Sequence, residues 1–305
     1  MKFSIVTPAW NVGPWLSETI ESVLSQKGDF DIEYIIVSDP SSDDTVEIVR
    51  KYQMQVQSGK YFHTCNNLEM KHIELSRGDG MAVAINAGFA IATGDVFAWI
   101  PGDDVYQRDA FTAIENILNT FPEIEWVKGF DDIIDEHSNL ISKGKSLLYY
   151  QQWLQAGVYG IEAYHVSQET SFWRAELWRT HGPFPKNKKS MCDYWLWLQF
   201  SKTTRLWSAD VAISSFRKRP EQYSRKNIIK CKESMWDSRT NRRPLSGWIA
   251  RLYFFPYYHL VPKSLQFVVE GLYPFIFPYH PRTYIAIQDG KVIKKNSKSF
   301  ICRNN

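Results

Sequence analysis

The sequence predicts an α/β fold in which a mostly parallel central sheet is covered by helices on both faces. Two observations lead there. Across the first 135 residues, short apolar runs alternate with amphipathic runs of helical period. The apolar runs are near-continuous rather than alternating, as strands buried on both faces require.

The elements follow in order. Phe3-Ser4-Ile5-Val6-Thr7 is a short apolar strand, stopped by Pro8. Gly13-Pro14 opens an amphipathic run over 15–26, with Ile20, Val23 and Leu24 on one face; proline suits a first helical turn. Residues 32–37 form a second buried strand. It ends in Ser38-Asp39-Pro40-Ser41-Ser42-Asp43-Asp44, a turn that also offers an N-cap to a helix over 45–52. A strand near 71–75 and a helix from about 81 to 92 come next. Thr93-Gly94-Asp95 turns into a third clear strand over 96–100, and a helix over 110–121 and a strand over 125–130 close the series. Residues 145–200 are less regular and rich in Trp and Tyr, with a helix expected over 193–200. This divides the chain into a ligand-binding half (1–135), a second part of the same domain (136–225) and an aromatic, basic C-terminal extension (226–305).

Composition removes several function classes. A net charge of +3 over 305 residues is too mild for a nucleic-acid binder, and no basic helix is interleaved with stacking aromatics. Apolar sequence begins directly after Met1-Lys2, so no secretory signal is expected. Cys65, Cys192, Cys231 and Cys302 are scattered without zinc spacing, which suits free thiols in a reducing compartment and a cytoplasmic location. No window supplies the ~20 mostly apolar residues of a membrane span.

In parallel sheets ligands bind beyond the carboxyl ends of the strands. Asp39 follows the second strand, and Asp103 and Asp104 follow the strand over 96–100. Adjacent carboxylates at a strand end suit a hard divalent cation, Mg²⁺ or Mn²⁺, whose remaining ligands come from a diphosphate and water. Gly102 allows close backbone approach. By residue type alone, Pro101-Gly102-Asp103-Asp104 is equally an ordinary turn.

The ordered set of segments decides between these. Thr7-Pro8-Ala9-Trp10-Asn11, followed by Leu16, Thr19, Ile20, Ser22, Val23, Leu24 and Gln26, resembles the opening of family 2 glycosyltransferases. Tyr34 to Thr45 is similar to that family's nucleotide-base loop. Ala84-Ile85-Asn86-Ala87-Gly88-Phe89 with Ala92-Thr93-Gly94-Asp95 is similar to its central helix and turn. Trp99-Ile100-Pro101-Gly102-Asp103-Asp104 stands where the family carries its metal motif. Gln168-Glu169-Thr170-Ser171-Phe172-Trp173-Arg174 and Met191-Cys192-Asp193-Tyr194-Trp195 resemble its acceptor-side segments. The match runs from residue 1 to about 220.

The resemblance implies a GT-A fold, a Rossmann-like sheet joined to a smaller acceptor region. It implies inverting transfer of a sugar from a nucleotide-diphosphate sugar to a glycan or lipid-linked acceptor, in bacterial polysaccharide or cell-surface glycan biosynthesis. Asp103 would be the main metal ligand, with Asp104 beside it. Thr7, Pro8, Ala9, Asn11, Asp39, Asp79, Asn86, Gln168, Arg174 and Arg219 would line the substrate sites. Asp193 matches the catalytic base, a role in which a positioned carboxylate contributes roughly 10²–10⁴-fold; it also suits an N-cap of the helix it opens.

The sequence departs from the family pattern at five points. Ser38 and Gly78 stand where the family carries Asp, with Asp39 and Asp79 one residue later, and a one-residue displacement on a strand reverses a side chain. Pro101 replaces the first Asp of the metal motif, Trp195 an acidic residue after the base, and Arg219 a late His. Arg217-Lys218-Arg219 suits diphosphate binding, although a solvated basic run is the commoner explanation. These changes leave open a non-catalytic nucleotide-sugar binder or scaffold. A sugar-nucleotide pyrophosphorylase fits poorly, because Pro8-Ala9-Trp10-Asn11 stands where its Gly-rich loop belongs.

The extension contains two amphipathic runs, over 247–255 and 265–273, with Trp and Tyr beside Arg and Lys. That pattern suits helices lying on a bilayer, at the inner face of the membrane, with Lys291, Lys294, Lys295 and Lys298 favouring anionic lipid. Packing on the catalytic domain or on a second subunit, in a homo-oligomer, explains it equally.

Overall fold

The computed structural model describes residues 1–78, 80–186, 188, 190–220, 222, 226–239 and 245–302. Its elements are β1 (Lys2–Ala9), α1 (Gly13–Leu24), β2 (Asp31–Ser38), α2 (Thr45–Gln57), β3 (Asn67–Glu74), α3 (Met81–Ala90), β4 (Val96–Trp99), β5 (Val105–Tyr106), α4 (Ala110–Thr120) and β6 (Trp126–Ile134). They continue with β7 (Leu140–Ser142), α5 (Gln151–Gln155), β8 (Ser171–Arg174), α6 (Ala175–His181), α7 (Cys192–Phe200) and β9 (Trp207–Arg217). The C-terminal part adds α8 (Ile228–Ser238), α9 (Leu245–His259), α10 (Gln266–Ile276), β10 (Thr283–Gln288) and β11 (Lys291–Asn296).

One sheet runs through the molecule in the order β11-β10-β9-β6-β8-β4-β1-β2-β3, with β5 beside β9 and β7 beside β6. The parallel block β3-β2-β1-β4 matches the expectation. Beyond it, β8 is antiparallel to both β4 and β6. The extension is not only helical: β10 pairs with β9 and the β10–β11 hairpin forms that edge of the sheet. Lysines along β11 suit an edge strand, where charge discourages further pairing.

Strand alternation sorts the core onto two faces. Phe97 and Trp99 of β4 point to one layer, with Phe89, Trp126, Trp173 and Trp197. Val96, Ala98 and Ile100 point to the other, with Phe3, Phe30, Phe111 and Phe172. α3 lies so close to the first layer that a Cβ at Gly88 would sit 2.6 Å from a Val6 methyl. Far from the strand ends that matter below, the buried carboxylate of Glu33 accepts from Ser4, from Lys71 Nζ at 2.7 Å and from Thr93 N–H at 2.7 Å. Burial alone would raise its pKa, but these hydrogen bonds prevail and hold it at about 2.

Asp44 gives α2 no side-chain cap. Asp43 does that work instead: Oδ1 accepts from Thr45 N–H at 3.1 Å, and Oδ2 accepts from Gly13 N–H at 2.9 Å. A single carboxylate thus ties the starts of α1 and α2 together above β1 and β2. Among the described residues, no helix is long and apolar enough to cross a membrane.

Candidate active site

The loops after β1 and β2 interlock. Asn11 adopts φ 49°, a left-handed conformation that Asn tolerates, and its Oδ1 accepts from Ser42 N–H at 2.8 Å. Asp39 N–H donates to Ala9 O at 3.0 Å, and Pro8 and Ala9 stand beside Val37 and Ser38. Thr7 lies beneath this rim, fully buried, with its hydroxyl accepting from Tyr34. Ser38 hydrogen-bonds His72 at 2.8 Å on the next strand. Because β2 ends at Ser38, Asp39 belongs to the loop and strand alternation no longer dictates its direction. Asp79 lies outside the described residues.

The β4 end is held from three sides. A Cβ at Gly102 would lie 2.8 Å from Val12 Cγ2, so this turn presses against the start of α1. Thr19 donates to Asp104 O at 2.7 Å. From the third side comes the end of β9. Arg217 N–H donates to Asp104 Oδ1 at 2.7 Å, and Arg217 Nε donates to Asp103 O at 2.7 Å. The Arg217 guanidinium also reaches Glu18 and Ser138, and the residue is fully buried. The solvated basic run expected over 217–219 is therefore corrected: strand pairing of β9 draws Arg217 into the interior, where it ties three elements together.

Arg219 has a different partner. Its Nε lies 2.6 Å from Asp103 Oδ2, and its guanidinium packs over the Trp15 ring at 4.9 Å. The neighbouring carboxylates thus differ in role. Asp104 is turned inward onto backbone, while Asp103 carries a cation. Burial, then Asp103 and Glu169, push the Asp104 pKa well up. Burial and Asp131 push buried Glu169 up to about 8.

In the segments expected to face an acceptor, Gln168 opens a single helical turn and accepts from the Trp99 indole N–H. The N-cap of α7 is Met191, not Asp193; Asp193 sits in the first turn without capping it. Its Oδ2 hydrogen-bonds His165 Nε2 at 2.9 Å, with the two side chains 11% and 38% exposed. Trp197 stacks on Trp99 with centroids 5.6 Å apart, whereas Phe200 meets Trp173, the partner of Phe97. Hence α7 runs antiparallel to β4. Asp193, one turn before Trp197, lies toward the strand end that carries Asp103.

Two other expected residues serve elsewhere. The Asn86 amide makes two 2.9 Å bonds to the backbone of Phe184, fastening α3 to the loop before α7. Arg174 donates to the carbonyls of Leu118, Pro122 and Ile124 at the end of α4. It pairs with Val96 at the start of β4, so the antiparallel course of β8 carries Arg174 to the opposite end of the sheet from Asp103. His165 was missing from the sequence reading. It is 28 residues from Asp193, and no spacing rule links them.

Among the described residues, no three His, Cys, Asp or Glu side chains form a ready-made metal cage. A divalent cation shared with a diphosphate needs few protein ligands, however. The donor chemistry of Asp103 fits, since its carboxylate already holds a cationic group at the strand end.

Residues 4–139 match the family model "Glycosyl transferase family 2". An uncharacterized glycosyltransferase of Nostoc sp. is 32% identical over 146 residues, covering 48% of this chain and 41% of that protein. The chain spans less than two thirds of the first curated relatives it matches. Among solved structures, S. aureus TarS 1-349 in complex with UDP-GlcNAc superposes with a TM-score of 0.60 at 14% identity, over 100% of this chain and 99% of that one. The mannosyltransferase PcManGT from Pyrobaculum calidifontis, in complex with GDP-Man and Mn²⁺, gives 0.53 at 15% identity over 90% and 72%. The architecture is thus GT-A, and the stretch of it over residues 4–139, which includes the strand-end carboxylates, matches the glycosyl transferase family 2 model.

Proposed function

We propose that the chain is an inverting glycosyltransferase, moving a sugar from a nucleoside diphosphate sugar to a hydroxyl of a glycan or lipid-linked acceptor. Bacterial polysaccharide or cell-surface glycan synthesis, on the cytoplasmic side of a membrane, is the setting this reading implies. One observation supports it: the Asp103–Arg219 pair lies beyond the ends of β4 and β9, and the direction of α7 carries the Asp193–His165 pair toward the same end of the sheet. The donors named for the TarS and PcManGT complexes, UDP-GlcNAc and GDP-Man, support a nucleoside diphosphate sugar as the donor class.

The residues divide the work. The loops of Pro8–Asn11 and Asp39 face the nucleoside. Arg219 offers positive charge to the diphosphate, which gains charge as the glycosidic bond breaks. Asp193, oriented by His165, accepts the acceptor hydroxyl proton. The freed oxygen attacks the anomeric carbon from the side opposite the diphosphate, which leaves with the bonding pair. Asp103 would hold Mg²⁺ or Mn²⁺, whose chemistry when bound is neutralisation of diphosphate oxygens.

A thermal-shift screen of nucleoside diphosphates, with and without Mn²⁺, followed by a transfer assay, tests this reading. The right nucleotide raises the melting temperature by ligand linkage. If no nucleotide shifts it, the donor site is refuted. The Arg219–Asp103 contact also favours a second reading, donor binding without transfer; nucleotide binding with neither hydrolysis nor transfer over a broad donor panel selects it.

A further inference from the structure

We propose that the α9–α10 hairpin docks the protein on a bilayer containing anionic lipid. Each helix has two faces with opposite fates. Tyr253, Tyr257 and Tyr273 are buried, and Phe254 packs on Trp153 and Phe300 of the body. Tyr253 also donates to Val269 O across the hairpin. This face fixes the hairpin to the molecule.

The outward face is apolar and uncovered. On α9, Trp248, Leu252 and Phe255 follow an i, i+4, i+7 spacing and are all exposed, Leu252 by 75%. On α10, Val268, Leu272 and Phe275 repeat that spacing, with Phe275 80% exposed. Tyr279, just beyond, is 89% exposed. So large a contiguous apolar face marks an interaction surface.

Charge identifies the partner. Between 245 and 279 the one acidic side chain is Glu270, which is buried and accepts from Tyr257. The exposed charges there are Arg251 and Lys263, and Lys298 borders the groove beside Phe267. A twofold dimer would press this patch against its own copy, bringing like charges together at the rim. Anionic headgroups neutralise the same rim while acyl chains take the aromatic and aliphatic side chains. Docking there also brings the Tyr164–His165 segment near the membrane, one hairpin thickness away, because Tyr164 packs on the inner face of α9 at Phe254.

The test uses the full chain and co-sedimentation with extruded vesicles. One set is phosphatidylcholine alone, the other contains about a third phosphatidylglycerol. The protein is expected to sediment with the anionic vesicles and to be released by high salt. Leu252→Glu/Phe275→Glu should weaken binding by at least about tenfold, with an unchanged melting temperature because both side chains are exposed. Lys263→Glu/Lys298→Glu should weaken it roughly fivefold or more per charge, on anionic vesicles only. Absence of binding to anionic vesicles, or binding indifferent to the Leu252/Phe275 pair, overturns the proposal. So does a dimer that those two substitutions dissociate while vesicles bind nothing, which would assign the face to a second copy.

Discussion

Replacing Arg219 with Met keeps an unbranched apolar stem of similar reach to Nε and removes the charge, and two consequences of opposite sign follow. Arg219 Nε lies 2.6 Å from Asp103 Oδ2, with the side chains 18% and 8% exposed. A hydrogen bond to a charged group contributes about 1.5–3 kcal/mol, and limited exposure leaves most of that unscreened. A divalent cation taking Asp103 in the absence of nucleotide must first displace this guanidinium. Arg219→Met should therefore tighten nucleotide-free Mn²⁺ binding by about 10–100-fold, since each 1.4 kcal/mol is a factor of ten. Nucleoside diphosphate binding should move the other way, weakening about tenfold or more, because the charge offered to the diphosphate is gone. Isothermal titration with Mn²⁺ and with nucleotide separates the two effects. A cycle with Asp103→Asn then tests whether they act through the same pair. Mn²⁺ affinity within twofold of wild type would refute the idea that Arg219 guards Asp103.

Asp193→Asn should lower kcat by roughly 10²–10⁴ while nucleotide binding stays intact; transfer at the wild-type rate removes Asp193 from the role of base. His165→Gln keeps a hydrogen-bonding group but cannot carry charge, so it should change the pH profile of kcat with little effect on donor affinity. An unaltered profile would leave His165 a purely structural partner. Glu33 has a folded pKa held down to about 2 from an ordinary 4.5. Its contribution to stability is thus fully present above pH 4.5 and lost as pH falls through 2. Acid titration of stability should show wild type ahead of Glu33→Gln by about 1.5–3 kcal/mol near pH 6, with the gap closing toward pH 2; a gap independent of pH contradicts the assignment.

Legibility of the fold followed the range of the interactions that make it. β1, α1, β2 and β4 each carry their own periodicity, so Phe3 to Thr7 and Val96 to Ile100 were readable as strands within a few residues. The crossing of β8 was not readable. Ser171 to Arg174 is apolar enough for a strand of either direction, and only its pairing with Val96 and Trp126 fixes it as antiparallel. The β10–β11 hairpin was hidden in a stretch dominated by aromatic helices. Its Tyr284-Ile285-Ala286 core is short, and half of its last strand is Lys. Of the site, strand-end carboxylates were legible because topology places them; partners distant in sequence were not. Asp103 to Arg219 spans 116 residues, and Arg217 is buried by strand pairing that no local pattern announces.

The departures at Pro101 and Arg219 make physical sense together. Against the pattern it resembles, the Asp103 end of the sheet has one carboxylate fewer and a permanent cation where that pattern has an imidazole. Both changes move local charge in the positive direction, toward what a diphosphate needs. Asp103 prevents that cation from collapsing elsewhere: with Trp15 beneath it and Asp103 beside it, the guanidinium is held at the end of β4. Arg217 sets the geometry of the pair from below, through its bonds to Asp103 O and Asp104 Oδ1. Burial, with Asp103 and Glu169 nearby, pushes the Asp104 pKa up, and its Oδ1 is turned inward onto the Arg217 N–H rather than toward the strand end. In the proposed donor site, this end of the sheet presents one carboxylate and one guanidinium that separate when a diphosphate arrives, each then taking a partner of opposite sign. Charge preorganised in this way is available before the ligand binds, and it costs no reorganisation at the moment the leaving group develops its charge.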